Sequence, residues 1–324
     1  VTAVSIIITT KNRAESLSHT LGALAKLKIP AAYSAEVLVV DNGSTDSTRS
    51  LIETARVDGL PIRYLYEGRA GKSRAVNLAL EQSYGDLLLF TDDDARPPAD
   101  WVQRMCRPII EGTADAVVGG VRLAPHLERP WMKGEVRGWI ACTDGLIDPQ
   151  RPRLVGANMA LSRRVLEQIP GLDPELGPGA LGFFDDTLLG DQVLKAGFRI
   201  AVALDVVVEH HLDVDRLGEA QLLELAQRLG RSSAYQYHHW EHGDIRLKWA
   251  KILYLGAIRQ WRRLRSVRDP GTLPHLLNIE FKLALVRHFM IERRRPRNYE
   301  KWGLVKKGMR PARDPGSAKP LVHA

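Results

Sequence analysis

Five short runs rich in Val, Ile and Leu, at residues 4–10, 36–41, 62–66, 86–91 and 116–121, alternate with helical patterns over the first 125 residues. The first run is followed by Leu17, Leu21, Leu24 and Leu27 at helical spacing, and the second by Leu51, Ile52 and Ala55. Further helical stretches follow at 73–81 and 98–110. Strands separated by helices of this length pair in parallel through right-handed crossovers. A sheet built this way is covered on both faces, which explains why its strands read as nearly unbroken apolar runs. Ligands of such sheets lie beyond the carboxyl ends of the strands.

Composition narrows the class. A chain of 324 residues with 44% apolar content can bury one large core with an appendage, and its charged fraction is ordinary, so extended disorder is not expected. Cys106 and Cys142 have neither metal-ligand spacing nor the numbers of a disulfide framework. They read as reduced thiols of a cytoplasmic protein. The run at 4–10 is too short for a signal sequence and lacks a basic flank. Nothing approaches the roughly 18 apolar residues of a membrane-spanning helix. The net charge of +8 is uneven: residues 240–324 hold twenty Lys and Arg against seven Asp and Glu, a net +13, leaving −5 on residues 1–239.

Acidic and small polar residues gather at the predicted strand ends. The fourth strand runs into Asp92, Asp93 and Asp94. Adjacent carboxylates repel, and hard oxygen ligands suit Mg²⁺ or Mn²⁺, which also bridges substrate phosphates. A solvated turn at a helix start fits the run equally. The second strand ends at Asp41, followed by Asn42, Gly43, Ser44, Thr45 and Asp46, a well-capped turn whose first carboxylate can accept a hydrogen bond from a base N–H. Gly71, Lys72, Ser73 and Arg74 open a helix with phosphate-friendly chemistry but without P-loop spacing. Asp185 and Asp186 follow Gly182, Phe183 and Phe184 at a helix start, where either acid can act as general base or as a cap. Glu209, His210 and His211 end a long apolar strand predicted at 198–208. Either imidazole fits a metal, and a surface pair fits too. Between 122 and 153, Pro125, Pro130, Pro149 and Pro152 break the pattern around Trp131 and Trp139, as in a functional loop.

Taken in order, these segments resemble the inverting family-2 glycosyltransferases of GT-A fold. The resemblance covers about residues 3–212 and is carried by 7–13, 41–46, 71–77, 91–95, 156–160 and 185–186. It implies an α/β, Rossmann-type three-layer sandwich with a mostly parallel mixed sheet over residues 1–212; beyond it, the residues themselves read as a helical basic extension (213–310) and, from a composition rich in Pro, Gly, Lys and Arg, an unstructured tail (311–324). The resemblance further implies transfer of a sugar from a nucleotide-diphospho-sugar, with UDP favoured, to a sugar or lipid-linked hydroxyl in bacterial polysaccharide or glycolipid synthesis. By the same resemblance Thr9, Thr10, Asn12, Arg13, Asp41, Gly71, Lys72, Ser73, Asp92 and Asp93 bind the donor. Asp94 holds Mn²⁺ or Mg²⁺, completed by His210 or His211. Asp186 is the base, and Gly156, Asn158, Trp131 and Trp139 form the acceptor side. Two departures stand out. Asp185 replaces the family's Glu, which leaves the choice between Asp185 and Asp186 open. Gly190, Asp191, Gln192, Val193 and Leu194 stand where processive polymerases carry Gln-x-x-Arg-Trp.

Two other classes compete. A nucleotidyltransferase would need a glycine-rich phosphate loop after the first strand, where Thr9, Thr10, Lys11, Asn12 and Arg13 stand instead. A nucleic-acid-binding protein would explain a pI near 9.5, but acidic strand ends and the lack of a known module argue against nucleic acid as a partner. The basic, apolar stretch 245–297 is expected to meet an anionic membrane from the cytoplasmic side, its apolar face including Ile252, Leu255, Ile258 and Trp261.

Overall fold

The structure is a computed structural model that describes residues 1–132, 134–143, 147–266 and 273–309. The tail expected to be unstructured lies outside the described residues. Five elements run as the periodicity predicts: β1 (Thr2–Thr10), α1 (Ala14–Leu24), β2 (Tyr33–Asp41), α2 (Thr48–Thr54) and β3 (Ile62–Tyr66). α3 (Lys72–Gln82), β4 (Leu87–Thr91), the two-residue β5 (Ala95–Arg96), α4 (Trp101–Ile110) and β6 (Ala116–Leu123) complete the first half. Then come α5 (Glu135–Trp139), β7 (Asn158–Ser162), α6 (Asp185–Lys195) and β8 (Ile200–His210), and finally α7 (Glu219–His239), α8 (Lys248–Ser266) and α9 (Leu273–Glu292).

The eight strands form one sheet in the order β3-β2-β1-β4-β7-β6-β8-β5. Pairing among β1 to β4 is parallel, as is β6 with β8. β7 runs antiparallel between β4 and β6, and β5 runs antiparallel to β8. Strand alternation divides the core. Val4, Ile6 and Ile8 of β1 join Val37, Val39, Leu87 and Leu89 on the face covered by α1, α2 and α4. Ile7 joins Leu38, Val40, Leu88 and Phe90 on the face covered by α3 and α6. Both faces are dry, and each fully buried aliphatic side chain contributes about 1.5–3 kcal/mol.

The helical extension packs on this body. Leu225 and Leu229 of α7 pack with Leu123, Ala124 and Leu127, which follow β6. α9 lies against both α7 and α8, and its Leu276, Leu277, Leu283, Val286 and Phe289 are buried. Trp131 and Trp139 are half-buried against these helices, Trp139 stacking 5.9 Å from Phe281.

The candidate active site

Asp92, Asp93 and Asp94 leave β4 and turn directly into β5. This two-residue strand pairs Ala95 with His210 and Arg96 with Glu209, and His211 N donates to Asp94 O at 2.7 Å. The short pairing sets the end of β8 against the acidic turn, although 116 positions separate Asp94 from His210. His210 Nε2 lies 3.0 Å from Asp94 Oδ1, and one ligand atom each from Asp92, Asp94 and His210 lie within 4.8 Å of one another.

The three acids are not equivalent. Asp93 turns inward: Thr10 Oγ1 and Arg13 Nη1 donate to its carboxylate at 2.7 and 2.9 Å, and its carbonyl accepts from Ser16 and Thr20. Burial pushes its pKa up to about 6 against the pull of Arg13. Asp94 is also buried, but His210, Arg13 and Arg216 outweigh burial and hold it well below the usual carboxylate range. The neighbour of its Oδ1 among the described residues is the His210 imidazole. An ionised, buried carboxylate oxygen beside an imidazole and the partly exposed Asp92, with the three ligand atoms within 4.8 Å of one another, fits a hard divalent cation. Asp94, His210 and Asp92 are the residues that would hold it. His211, considered alongside His210, does not join them, since its Nε2 pairs with Glu209.

Lys72, the first residue of α3, links this cluster to the second acidic pair. Its Nζ donates to Asp92 Oδ1 at 2.5 Å. Burial disfavours its charge, but Asp92, Asp185 and Asp186 overcome that and raise its pKa. Asp185 and Asp186 begin α6 and line one small pocket with Lys72, Thr9, Thr91 and Gly156. Asp186 is the more exposed of the two. Gly156 N donates to its Oδ2 at 2.8 Å and Thr187 N to its Oδ1 at 2.7 Å. Burial, then mutual repulsion, pushes Asp185 up to about 7, and burial raises Asp186 as well. Phe184, which precedes the pair, holds a left-handed φ of 72°, a strained backbone that sets where α6 begins. A Cβ at Gly177 would stand 2.9 Å from the Asp185 carboxyl, so that loop can seat the acid only as glycine.

The remaining predicted residues divide into those at the cleft and those that build it. Asp41 Oδ1 accepts from Ser44 N at 2.7 Å, and Tyr64 OH lies 3.2 Å from Oδ2. Asn12 ties the end of β1 to the turn after β2, its Oδ1 accepting from Thr45 N and its backbone N–H donating to Ser44 Oγ. Ser73 Oγ donates to Leu176 O, fixing α3 to the loop before α6. Asn158, predicted for the acceptor side, is fully buried. It accepts from Trp101 Nε1 and donates to the Gly120 and Val206 carbonyls, where the β6–β8 register shifts at Gly119. Its amide fills the space a Cβ at Gly119 would take. It serves the sheet, not a ligand. Trp131 and Trp139 likewise face the helical extension. Sequence reasoning missed Asn42, whose amide donates to the Glu67 and Arg69 carbonyls and accepts from Gly71 N, holding the loop that precedes α3. It also missed Arg216, 3.5 Å from Asp94.

Comparison with known proteins gives a consistent result. Residues 5–170 match the model of glycosyl transferase family 2. The succinoglycan biosynthesis protein ExoM of Rhizobium meliloti (strain 1021) is 32% identical, over 86% of this chain and 94% of that protein. A mannosyltransferase of Pyrobaculum calidifontis, solved with GDP-Man and Mn²⁺, superposes with a TM-score of 0.58 at 22% identity, covering 90% of this chain and 86% of that one. Residues 1–349 of S. aureus TarS, solved with UDP, superpose at 0.51 with 17% identity, covering 90% of each chain. These two structures share the fold.

Proposed function

The chain belongs to glycosyl transferase family 2 and is a glycosyltransferase, and from that premise we propose an inverting, metal-dependent transfer from a nucleotide-diphospho-sugar to a hydroxyl acceptor. The observation that carries the reading is the pairing of two acidic centres through Lys72, one an Asp92–Asp94–His210 group of metal-ligand geometry and one with raised carboxylates. A divalent ion held by Asp94, His210 and Asp92 would neutralise the charge growing on the departing diphosphate. Lys72 and the N-terminus of α3 add fixed positive charge there. Asp186, fixed by Gly156 N and Thr187 N, takes the proton of the acceptor hydroxyl. Its raised pKa makes it a stronger base than a free aspartate. Attack from the base side, opposite the leaving group, inverts the anomeric centre in one displacement.

UDP is the favoured donor nucleotide, with Asp41 accepting the base N–H. One solved neighbour binds GDP-Man and another UDP, so the base is decided by titration. UDP should bind in a Mn²⁺- or Mg²⁺-dependent way and ADP much more weakly. Equal affinity for both would refute the role of Asp41. The succinoglycan relative supports a place in polysaccharide assembly, where acceptors are carried on lipid. No helix among the described residues is long and apolar enough to cross a membrane. Leu247, Trp249, Leu253 and Tyr254 are at least 66% exposed around the start of α8. With Arg246 and Lys251 exposed beside them, they suit an anionic membrane interface.

A further inference from the structure

A second polar pocket lies one loop away from the carboxylate pair. It has a volume of about 430 Å³ and is lined by Gly179, Ala180 and Leu181 of that loop and by Glu224, Arg228 and Arg231 of α7. The loop is the wall between two sites. On one side Gly177 packs on Asp185, Pro178 O accepts from Lys72 N, and Gly179 abuts the backbone of Gly71. On the other side α7 is pinned to it, because Phe183 N donates to Ser232 Oγ at 3.1 Å. The pocket is therefore held at a fixed place beside the base but apart from the donor's diphosphate site.

Its charges are unevenly used. Arg228 pairs with Glu224 one helical turn away. Arg231 is half-buried and has no hydrogen bond or ion pair among the described residues. A guanidinium that lines a polar pocket with no carboxylate of the protein paired to it can take up an anion there, and its planar fork matches phosphate oxygens. Two arginines against one glutamate leave the lining net positive. The space exceeds what a bare phosphate needs and suits a larger phosphate-bearing molecule.

We propose that this pocket binds a phosphate group carried by the acceptor, with Arg231 as its main ligand. The proposal rests on the assignment of Asp186 to the acceptor side, and it names the chemistry of that acceptor. Glu224 then acts as a brake, since it occupies Arg228 and repels the incoming anion.

The test uses the full chain. Calorimetric titrations with inorganic phosphate and with farnesyl phosphate are run after UDP and Mg²⁺ have saturated the donor site. Arg231→Gln should weaken phosphate binding about tenfold or more, the scale of one lost charge-assisted hydrogen bond, and leave UDP binding unchanged. Glu224→Gln should tighten it severalfold, a gain that misfolding cannot mimic. Tighter binding of farnesyl phosphate than of inorganic phosphate assigns a lipid-borne acceptor, and equal binding a soluble one. Equal affinities of the native protein and Arg231→Gln for both ligands overturn the proposal. If UDP itself does not bind, the donor reading fails, and the same variants titrated with phosphate alone still decide the pocket.

Discussion

Asp94 is a buried carboxylate facing His210, Arg13 and Arg216. Asp94→Asn keeps its shape and removes its charge. Transfer should fall by about 10² or more if the cation supplies several kcal/mol, and a near-normal rate in EDTA-treated native protein would contradict this. The carboxylate pair makes a prediction about pH. A base works only when ionised, and both acids titrate above the ordinary aspartate range because burial disfavours charge, with Asp185 at about 7. Activity should therefore decline with falling pH at a higher pH than an exposed aspartate would allow. Asp186→Asn should abolish transfer while sparing UDP binding. Asp185→Asn should leave an active enzyme whose acid limb moves to lower pH, because Asp186 loses a repelling neighbour. A dead Asp185→Asn with an active Asp186→Asn would exchange the roles. Asp41→Ala should weaken UDP binding by about 1–3 kcal/mol, measured by titration. The choice between His210 and His211 was legible after all. Val206, Val208 and His210 alternate onto one buried face of β8, and a period of two places His211 elsewhere.

Among the elements, β1, β2, β4 and β6 were readable because each is largely buried on both faces, so pattern and fold agree. Two features were not. β5 is two residues long and has no periodicity, yet its pairing with the end of β8 helps set His210 beside Asp94. β7 is antiparallel because the chain returns through the excursion between β6 and β7, a path no local pattern encodes. The same limit applies to α8. Ile252 packs with Ile245, Val286 and Phe289, and Leu255 and Ile258 are half-buried, so the residues expected to meet lipid largely face α9. The exposed apolar set along α8 and just before it is Leu247, Trp249, Leu253, Tyr254 and, of the residues expected there, Trp261. This gives the membrane reading a sharper form. Trp249→Ser with Leu253→Ser should eliminate co-sedimentation with anionic vesicles and leave stability nearly unchanged, since neither side chain is buried. Native binding should weaken with added salt. Protein that stays in the supernatant with anionic vesicles at low salt would make α8 a structural cap.

At the scale of the whole molecule, charge counting misjudged the C-terminal third. Its cations are not all free for a surface. Lys306 Nζ contacts Asp173 at 2.6 Å and Glu175 at 2.7 Å, and Arg295 pairs with Glu175 and Glu292. Tyr235 and Tyr299 both donate to the other oxygen of Asp173. Composition cannot foresee this, because Asp173 and Glu175 lie 120 or more positions from Arg295 and Lys306. The cluster grips the loop that leads to the Asp185–Asp186 pair. Asp173 is three residues before Leu176, whose carbonyl accepts from Ser73, and four before Gly177, which seats Asp185. Lys306→Met leaves a buried carboxylate without its cation, which costs about 3–5 kcal/mol in buried pairs. The thermal midpoint should fall accordingly. The pH dependence carries a sign. Hydrogen bonds from His239 and His288, with Arg295 nearby, outweigh burial and hold Glu292 below the ordinary range, and Lys306 and Arg295 do the same for Glu175. Groups depressed in this way stabilise the fold above the unfolded glutamate pKa of about 4.3. That contribution disappears as pH falls through their folded values. Lys306→Met should therefore narrow the stability gap between pH 7 and pH 3 relative to the native protein. If the cluster also positions the loop, the variant assayed well below its midpoint should lose kcat more than donor affinity, and Lys306→Arg should restore much of it. A variant with a lowered midpoint but native kcat would reduce the cluster to a clasp that holds the fold without shaping the site.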